Sequence, residues 1–126
     1  MSRPADPVGT LEVALAHARR LLETQPKLAA DQAQEILKVL PSQPTALLLL
    51  GLAKRALGHS GEAMTLLRRA VALKPELGPA WLALGDLYTD VGDVSNADLA
   101  YSQHIKCSTR DPRMRAAGAA LYENRL

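Results

Sequence analysis

The chain has 126 residues, 48% hydrophobic but only 3% aromatic, with no phenylalanine and a formal net charge of +2. That length suits one domain, and the composition points to an all-α core packed from alanine and leucine, with no sheet. Basic pairs such as Arg19-Arg20 and Arg68-Arg69 are dispersed among acidic residues, which describes a solvated surface rather than a phosphate-binding stripe.

A 34-residue offset superimposes Leu47 on Trp81, Leu50 on Leu84, Gly51 on Gly85, Gly58 on Gly92, Ala63 on Ala97 and Pro41 on Pro75. Self-similarity at this period marks an array of supersecondary units that share one core by stacking. Met1 to Thr10 contains Arg3, Pro4, Asp6 and Pro7 and lacks the apolar segment of a secretory signal, so cytoplasmic residence is the expectation. Residues 8–43 form a degenerate first copy. Its Val13, Ala16 and Arg20 spacing leaves an apolar stripe with Leu21, Pro26 breaks two helices, and Ala29, Ala33, Ile36 and Pro41 stand in register. His17 occupies the place where later copies hold glycine.

In the second copy, residues 44–77, Leu47, Leu50, Gly51 and Lys54 share one helix stripe, and Ala63, Leu67 and Ala70 share another. The apolar stretch Ala46 to Leu50 is far shorter than the roughly 20 residues needed to cross a bilayer and reads as a helix buried on both sides. The third copy, residues 78–111, repeats the pattern with Trp81, Leu84, Gly85, Tyr88, Ala97, Tyr101 and His104. Gly58 and Gly92 are expected to end the first helix of each pair in a left-handed conformation, and Ser60 and Ser95 to cap the second. Gly51 and Ala63 remove bulk where two helices meet. Residues 112–126 begin a fourth unit, with Ala119 and Tyr122 in the places of Gly85 and Tyr88.

These residues resemble the tetratricopeptide repeat family: Trp81, Leu84, Gly85, Tyr88, Ala97 and Tyr101 fit its pattern in one copy. Leu47, Leu50, Gly51, Ala63, Leu67, Ala70 and Pro75 fit in the copy before it. Lys54 stands where an aromatic is usual, so its stem is expected to lie along apolar surface. The resemblance implies one domain over residues 1–126, an all-α solenoid of antiparallel helix pairs closed by a capping or half-repeat helix at 112–126. It also implies a concave groove lined by the first helix of each pair: Leu11, Ala14, Ala18 and Leu21; Thr45, Leu48, Leu52 and Arg55; Leu82, Asp86, Thr89 and Asp90, with Ala116, Ala120 and Glu123 extending the row. The chosen partner-binding residues are Leu48, Leu52, Arg55, Leu82, Asp86 and Asp90. Such a groove, apolar at one end and acidic at the other, suits an apolar helix or extended segment carrying a basic group.

The resemblance also implies that a lysine, asparagine and arginine clamp for a peptide carboxylate is absent. The corresponding places hold Ala14, Ala18, Leu49, Pro79 and Ala83, none with a side-chain donor. Arg55 is the one clear cation of the groove row, opposed by Asp86 and Asp90, which argues against nucleic acid. The alternative is that the apolar groove residues bury against another copy of the chain, a flanking helix or the rest of a longer chain.

Catalytic chemistry finds little support. His104 and Cys107 lie about one turn apart, but zinc needs three or four protein ligands, and His17 and His59 belong to other copies. Cys107 stands alone, which excludes an internal disulfide. No phosphate loop, nucleophile elbow or H-E-x-x-H is present, so neither an enzyme, a cofactor nor a metal is expected. The stretch from Ala100, with Tyr101, His104, Asp111-Pro112 and Glu123-Asn124-Arg125-Leu126, is similar to the N-terminal arrays of bacterial tetratricopeptide-sulfotransferase proteins. Two functions therefore stand: a non-catalytic scaffold binding a peptide or helix, and the helical N-terminal module of a larger transferase whose catalytic domain lies elsewhere.

Overall fold

The computed structural model describes residues 7–110, and these form six α-helices without a strand. Helices α1 (Pro7–Thr24) and α2 (Pro26–Val39), α3 (Pro44–Ala56) and α4 (Ser60–Leu73), and α5 (Gly78–Asp90) and α6 (Val94–Arg110) are paired by short turns. The fold class is thus all-α, of the helical-hairpin solenoid type. By compactness the chain divides into two units, Met1–Lys74 with α1 to α4 and Pro75–Leu126 with α5 and α6. The expected fourth unit at 112–126 lies outside the described residues.

Proline and glycine place the boundaries. Pro26 and Pro44 open α2 and α3, and Pro79 stands in the first turn of α5, where a missing amide costs nothing. At the far end of α3, the Gly58 amide bonds the Arg55 carbonyl and the His59 amide bonds the Lys54 carbonyl. Gly92 and Asp93 repeat that double closure on Thr89 and Tyr88. Both glycines are left-handed, at φ 85° and 80°, a conformation that a β-carbon disfavours.

The expected serine caps are corrected. α4 begins at Ser60 itself, and His59 in the cap position makes no side-chain capping bond to the helix backbone. At α6 the cap is Asp93, whose carboxylate accepts from the Asn96 amide at 3.3 Å and from the Asn96 side chain at 2.7 Å. The glycine closure consumes the turn so quickly that both serines already lie inside the helices.

The first unit centres on Ala18, Ala29, Ala30, Ala33, Leu49, Leu50 and Ala53, with Leu15, Leu21, Leu22, Leu37 and Leu66 packed around them. Ala46 to Leu50 is buried on every side, as the uninterrupted apolar run requires. In α1, however, the stripe is displaced by one residue from the sequence reading. His17 and Arg20 are exposed and Val13 is 68% exposed, whereas Ala18 is fully buried. Only Gln25 separates α1 from α2, while Leu57, Gly58 and His59 separate α3 from α4. The shorter connection moves Ala18, not His17, into the place that Gly51 fills.

The close contacts of the other hairpins rest on glycine. A β-carbon at Gly51 would stand 2.8 Å from Leu67 Cγ, and one at Gly85 would stand 2.5 Å from Tyr101 Cε1. The side chains that fill these gaps are thus Leu67 and Tyr101, with the Ala63 carbonyl 3.5 Å from the place of a Gly51 β-carbon. The connections between hairpins are closed by side-chain donors: Arg69 Nη2 donates to the Pro41 carbonyl at 3.0 Å, and Trp81 Nε1 to that of Pro75 at 2.7 Å.

Gly85→Leu is expected to destabilise the fold by about 1–3 kcal/mol or more through overpacking, seen as a lower thermal midpoint. Gly85→Ala is also expected to destabilise the wild-type chain. In a Tyr101→Ala background the same change should stabilise, because only the helix-propensity gain of about 1 kcal/mol remains. Equal effects in both backgrounds would show that the ring is not the obstacle.

Candidate functional site

The groove candidates fall on the first helices of the hairpins, and burial divides them sharply. In the first unit Ala18 is fully buried and belongs to the core, while Leu11, Ala14 and Leu21 are half-buried. On α3, Leu48 is only 6% exposed, so it supports the wall and offers a ligand little surface. Thr45, Leu52 and Arg55 are half-buried. On α5, Leu82 remains 39% exposed although Leu84 and Leu87 on the same helix are buried. Thr89 and Asp90 are exposed and Asp86 is half-buried.

Asp86 has a partner that the sequence does not announce. Tyr101 reaches back from α6 and donates its hydroxyl hydrogen to Asp86 Oδ1 at 2.7 Å, and Thr89 Oγ1 lies 3.3 Å from the Tyr101 hydroxyl oxygen. Thr89 itself donates to the Gly85 carbonyl at 2.8 Å. The phenol is thereby held above its ordinary pKa, chiefly because Asp86 accepts from the neutral form, with burial and the charges of Asp86 and Asp90 acting in the same direction and the Thr89 bond opposing. The missing β-carbon of Gly85 admits the ring, and the ring fixes one carboxylate of the α5 row.

Lys54, in the family's aromatic place, has a side chain only 21% exposed, and its ammonium lies 3.1 Å from Glu62 Oε2. That contact, helped by His59, holds the Glu62 carboxyl below its usual range. His104 and Cys107 do not converge on a metal position. His104 Nδ1 lies 3.1 Å from the Gly78 carbonyl, and the Cys107 thiol donates to Pro75 at 3.6 Å, so both tie α6 to the start of α5. Among the described residues no three His, Cys, Asp or Glu side chains form a metal-binding group. No helix among them is long and apolar enough to cross a membrane.

Sequence reasoning missed a cleft of about 440 Å³ between α1 and α2, lined by Leu11, Ala14, Gln32, Ile36, Val39 and Leu40. The available signal was the pair Val39 and Leu40 at the end of α2, large apolar residues 78% and 42% exposed.

Residues 44–87 match the Tetratricopeptide repeat family. Over 73 residues the chain is 40% identical to Tetratricopeptide repeat protein 5 of Mus musculus, which covers 57% of this chain and 17% of that protein. Among solved structures it superposes on an O-GlcNAc transferase mutant of Thermobaculum terrenum with a TM-score of 0.76 and 26% identity, covering 91% of this chain and 22% of the transferase. PcrH in complex with the chaperone binding region of PopB gives a TM-score of 0.76 at 16% identity, covering 94% of this chain and 96% of PcrH. The Yersinia enterocolitica type III secretion translocator chaperone SycD gives 0.76 at 12%, covering 94% and 83%. At such identities the last two likenesses establish the fold. The chain spans less than a quarter of the length of the mouse protein and of the transferase.

The Tyr101–Asp86 contact yields a pH prediction. A phenol whose folded pKa is raised contributes stability that is complete below the ordinary value of 10.0 and is lost as pH rises beyond it. Ultraviolet titration should therefore show one tyrosine ionising late. Asp86→Leu should return that tyrosine toward the ordinary range, and an unchanged titration would remove the bond from the account.

Proposed function

We propose that the chain, whose residues 44–87 match the Tetratricopeptide repeat family, is a tetratricopeptide repeat protein that acts as a non-catalytic scaffold, holding a peptide or helix on the first-helix faces of its hairpins. The observation that carries this reading is Leu82, a large apolar side chain left 39% exposed on the helix that also carries Asp86 and Asp90. Leu52, backed by the buried Leu48, adds apolar surface on α3, with Arg55 at the end of that row. The two α5 carboxylates are four residues apart, so their fields add and favour a lysine or arginine in the ligand. Although Tyr101 occupies one position on Asp86, a carboxylate has lone pairs for further donors. On α5 alone, Leu82 with Asp86 and Asp90 joins an apolar anchor to two carboxylates, suited to a segment that pairs an apolar residue with a cation and unsuited to nucleic acid. A cytoplasmic setting belongs to the same reading. PcrH, of the same fold, has been solved in complex with the chaperone binding regions of PopB and of PopD, which supports a protein-binding role.

A second reading, a helical module within a longer transferase, draws on the Thermobaculum terrenum O-GlcNAc transferase, only 22% of which this chain matches. Reading the coding sequence beyond Leu126 separates the two.

Selection of random displayed peptides on the immobilised chain tests the scaffold. Selected sequences are expected to combine apolar residues with lysine or arginine. Leu82→Asp should abolish their binding, and Asp86→Asn with Asp90→Asn should weaken it and flatten its salt dependence. Peptides without cations, or binding indifferent to all three positions, would show that this surface is not the working one.

A further inference from the structure

The junction of α2 with α3 supplies a template for a second contact of the same kind. The two helices run antiparallel: Lys27 and Ala30 from the first half of α2, with Gln34 beyond them, lie beside Lys54 in the last turn of α3 and Leu57 just after it. Leu37, near the end of α2, packs on the cluster that contains Leu49 and Leu50 of α3. Carried forward by two periods, Ala30 falls on Asp98 and Leu37 on Ile105, both on α6. Carried back by one period, with the one-residue displacement of α1, Ala53 falls on Arg20, Leu49 on Ala16 and Ala46 on Val13.

The substitutions at these matched places are complementary. Asp98 and Arg20 are exposed charges of opposite sign. Ile105 is 59% exposed and Val13 68%, large apolar side chains in places where the α2–α3 junction buries Ala46 and packs Leu37 against its core. Placed on each other as α2 is on α3, the faces would set Asp98 against Arg20 and Ile105 against Val13 and Ala16.

We propose that these faces dock between copies of the chain, head to tail, with α6 of one copy receiving α1 of the next. The contact is heterologous, because the two faces differ, so copies add stepwise and each end keeps one face open. The charge pair fixes register and direction, while the apolar pair supplies the buried area. This goes beyond the peptide-binding reading, since it uses α6 and the exposed face of α1 rather than the α3 and α5 rows.

Sedimentation velocity of the full chain over a range of concentrations tests it. The wild-type mass should rise above the 13.5 kDa monomer with concentration, and salt should suppress the rise. Arg20→Glu and Asp98→Arg should each weaken association about tenfold with unchanged helical circular dichroism. An equimolar mixture of the two variants should associate as the wild type does, because each face then meets its opposite charge. Ile105→Glu should abolish association in every combination. A wild type that stays monomeric throughout, as it would if residues 112–126 of the same chain covered the α6 face, overturns the proposal. A mixture no better than its components, or a dimer indifferent to both reversals, also overturns it.

Discussion

Helix α3 approaches α4, and α5 approaches α6, across gaps that exist because Gly51 and Gly85 have no β-carbon. Leu67 fills the first gap and Tyr101 the second, each closer than any side chain at the glycine would permit. In the first hairpin Ala18, itself small, takes the same role and meets Ala29, Ala30 and Ala33 in one cluster. Interiors pack densely enough that one methyl group decides how near two helices come. The alanine-rich composition and lack of phenylalanine follow from that spacing, since only small residues let the pairs close.

The two gap-fillers have different consequences. Leu67 is wholly buried and ends in hydrocarbon, whereas Tyr101 carries a hydroxyl past the contact to Asp86 and Thr89. Packing and surface chemistry are therefore coupled in the second unit. The position of one carboxylate on the face of α5 depends on a ring seated against Gly85, so a change in the core of that hairpin is transmitted to its surface without an intervening contact.

Much of this was legible because the period repeats the physics. Gly58 and Gly92 recur at matched places and both adopt left-handed backbone, and the i, i+3, i+4, i+7 spacing of Leu47, Leu50, Gly51 and Lys54 placed them on one helix. The first hairpin resisted the same treatment because Ala18 and Ala29 are one residue closer in sequence than Gly51 and Ala63, and a single deletion rotates the buried face of α1 by about 100°. Periodicity also could not grade exposure: Leu48 and Leu82 occupy matched places, yet the first is buried and the second open. The Tyr101–Asp86 bond has no sequence spacing of its own, since it joins two helices whose separation is set by the glycine between them.

The carbonyls of Pro41 and Pro75 receive their side-chain donors from different distances along the chain. Pro75 is met by Trp81, six residues later, whereas Pro41 is met by Arg69, from the last helix of the first unit. For a chain emerging from the ribosome one end at a time, the Pro41 carbonyl must remain hydrated until most of α4 has been made. The Pro75 carbonyl, by contrast, finds its nearer donor, Trp81, before α6 exists, and the Cys107 thiol of α6 joins it later. Synthesis thus imposes an order on the two connections: the first hairpin's exit is sealed by its successor, while the third hairpin's entrance is sealed locally from its own first turn.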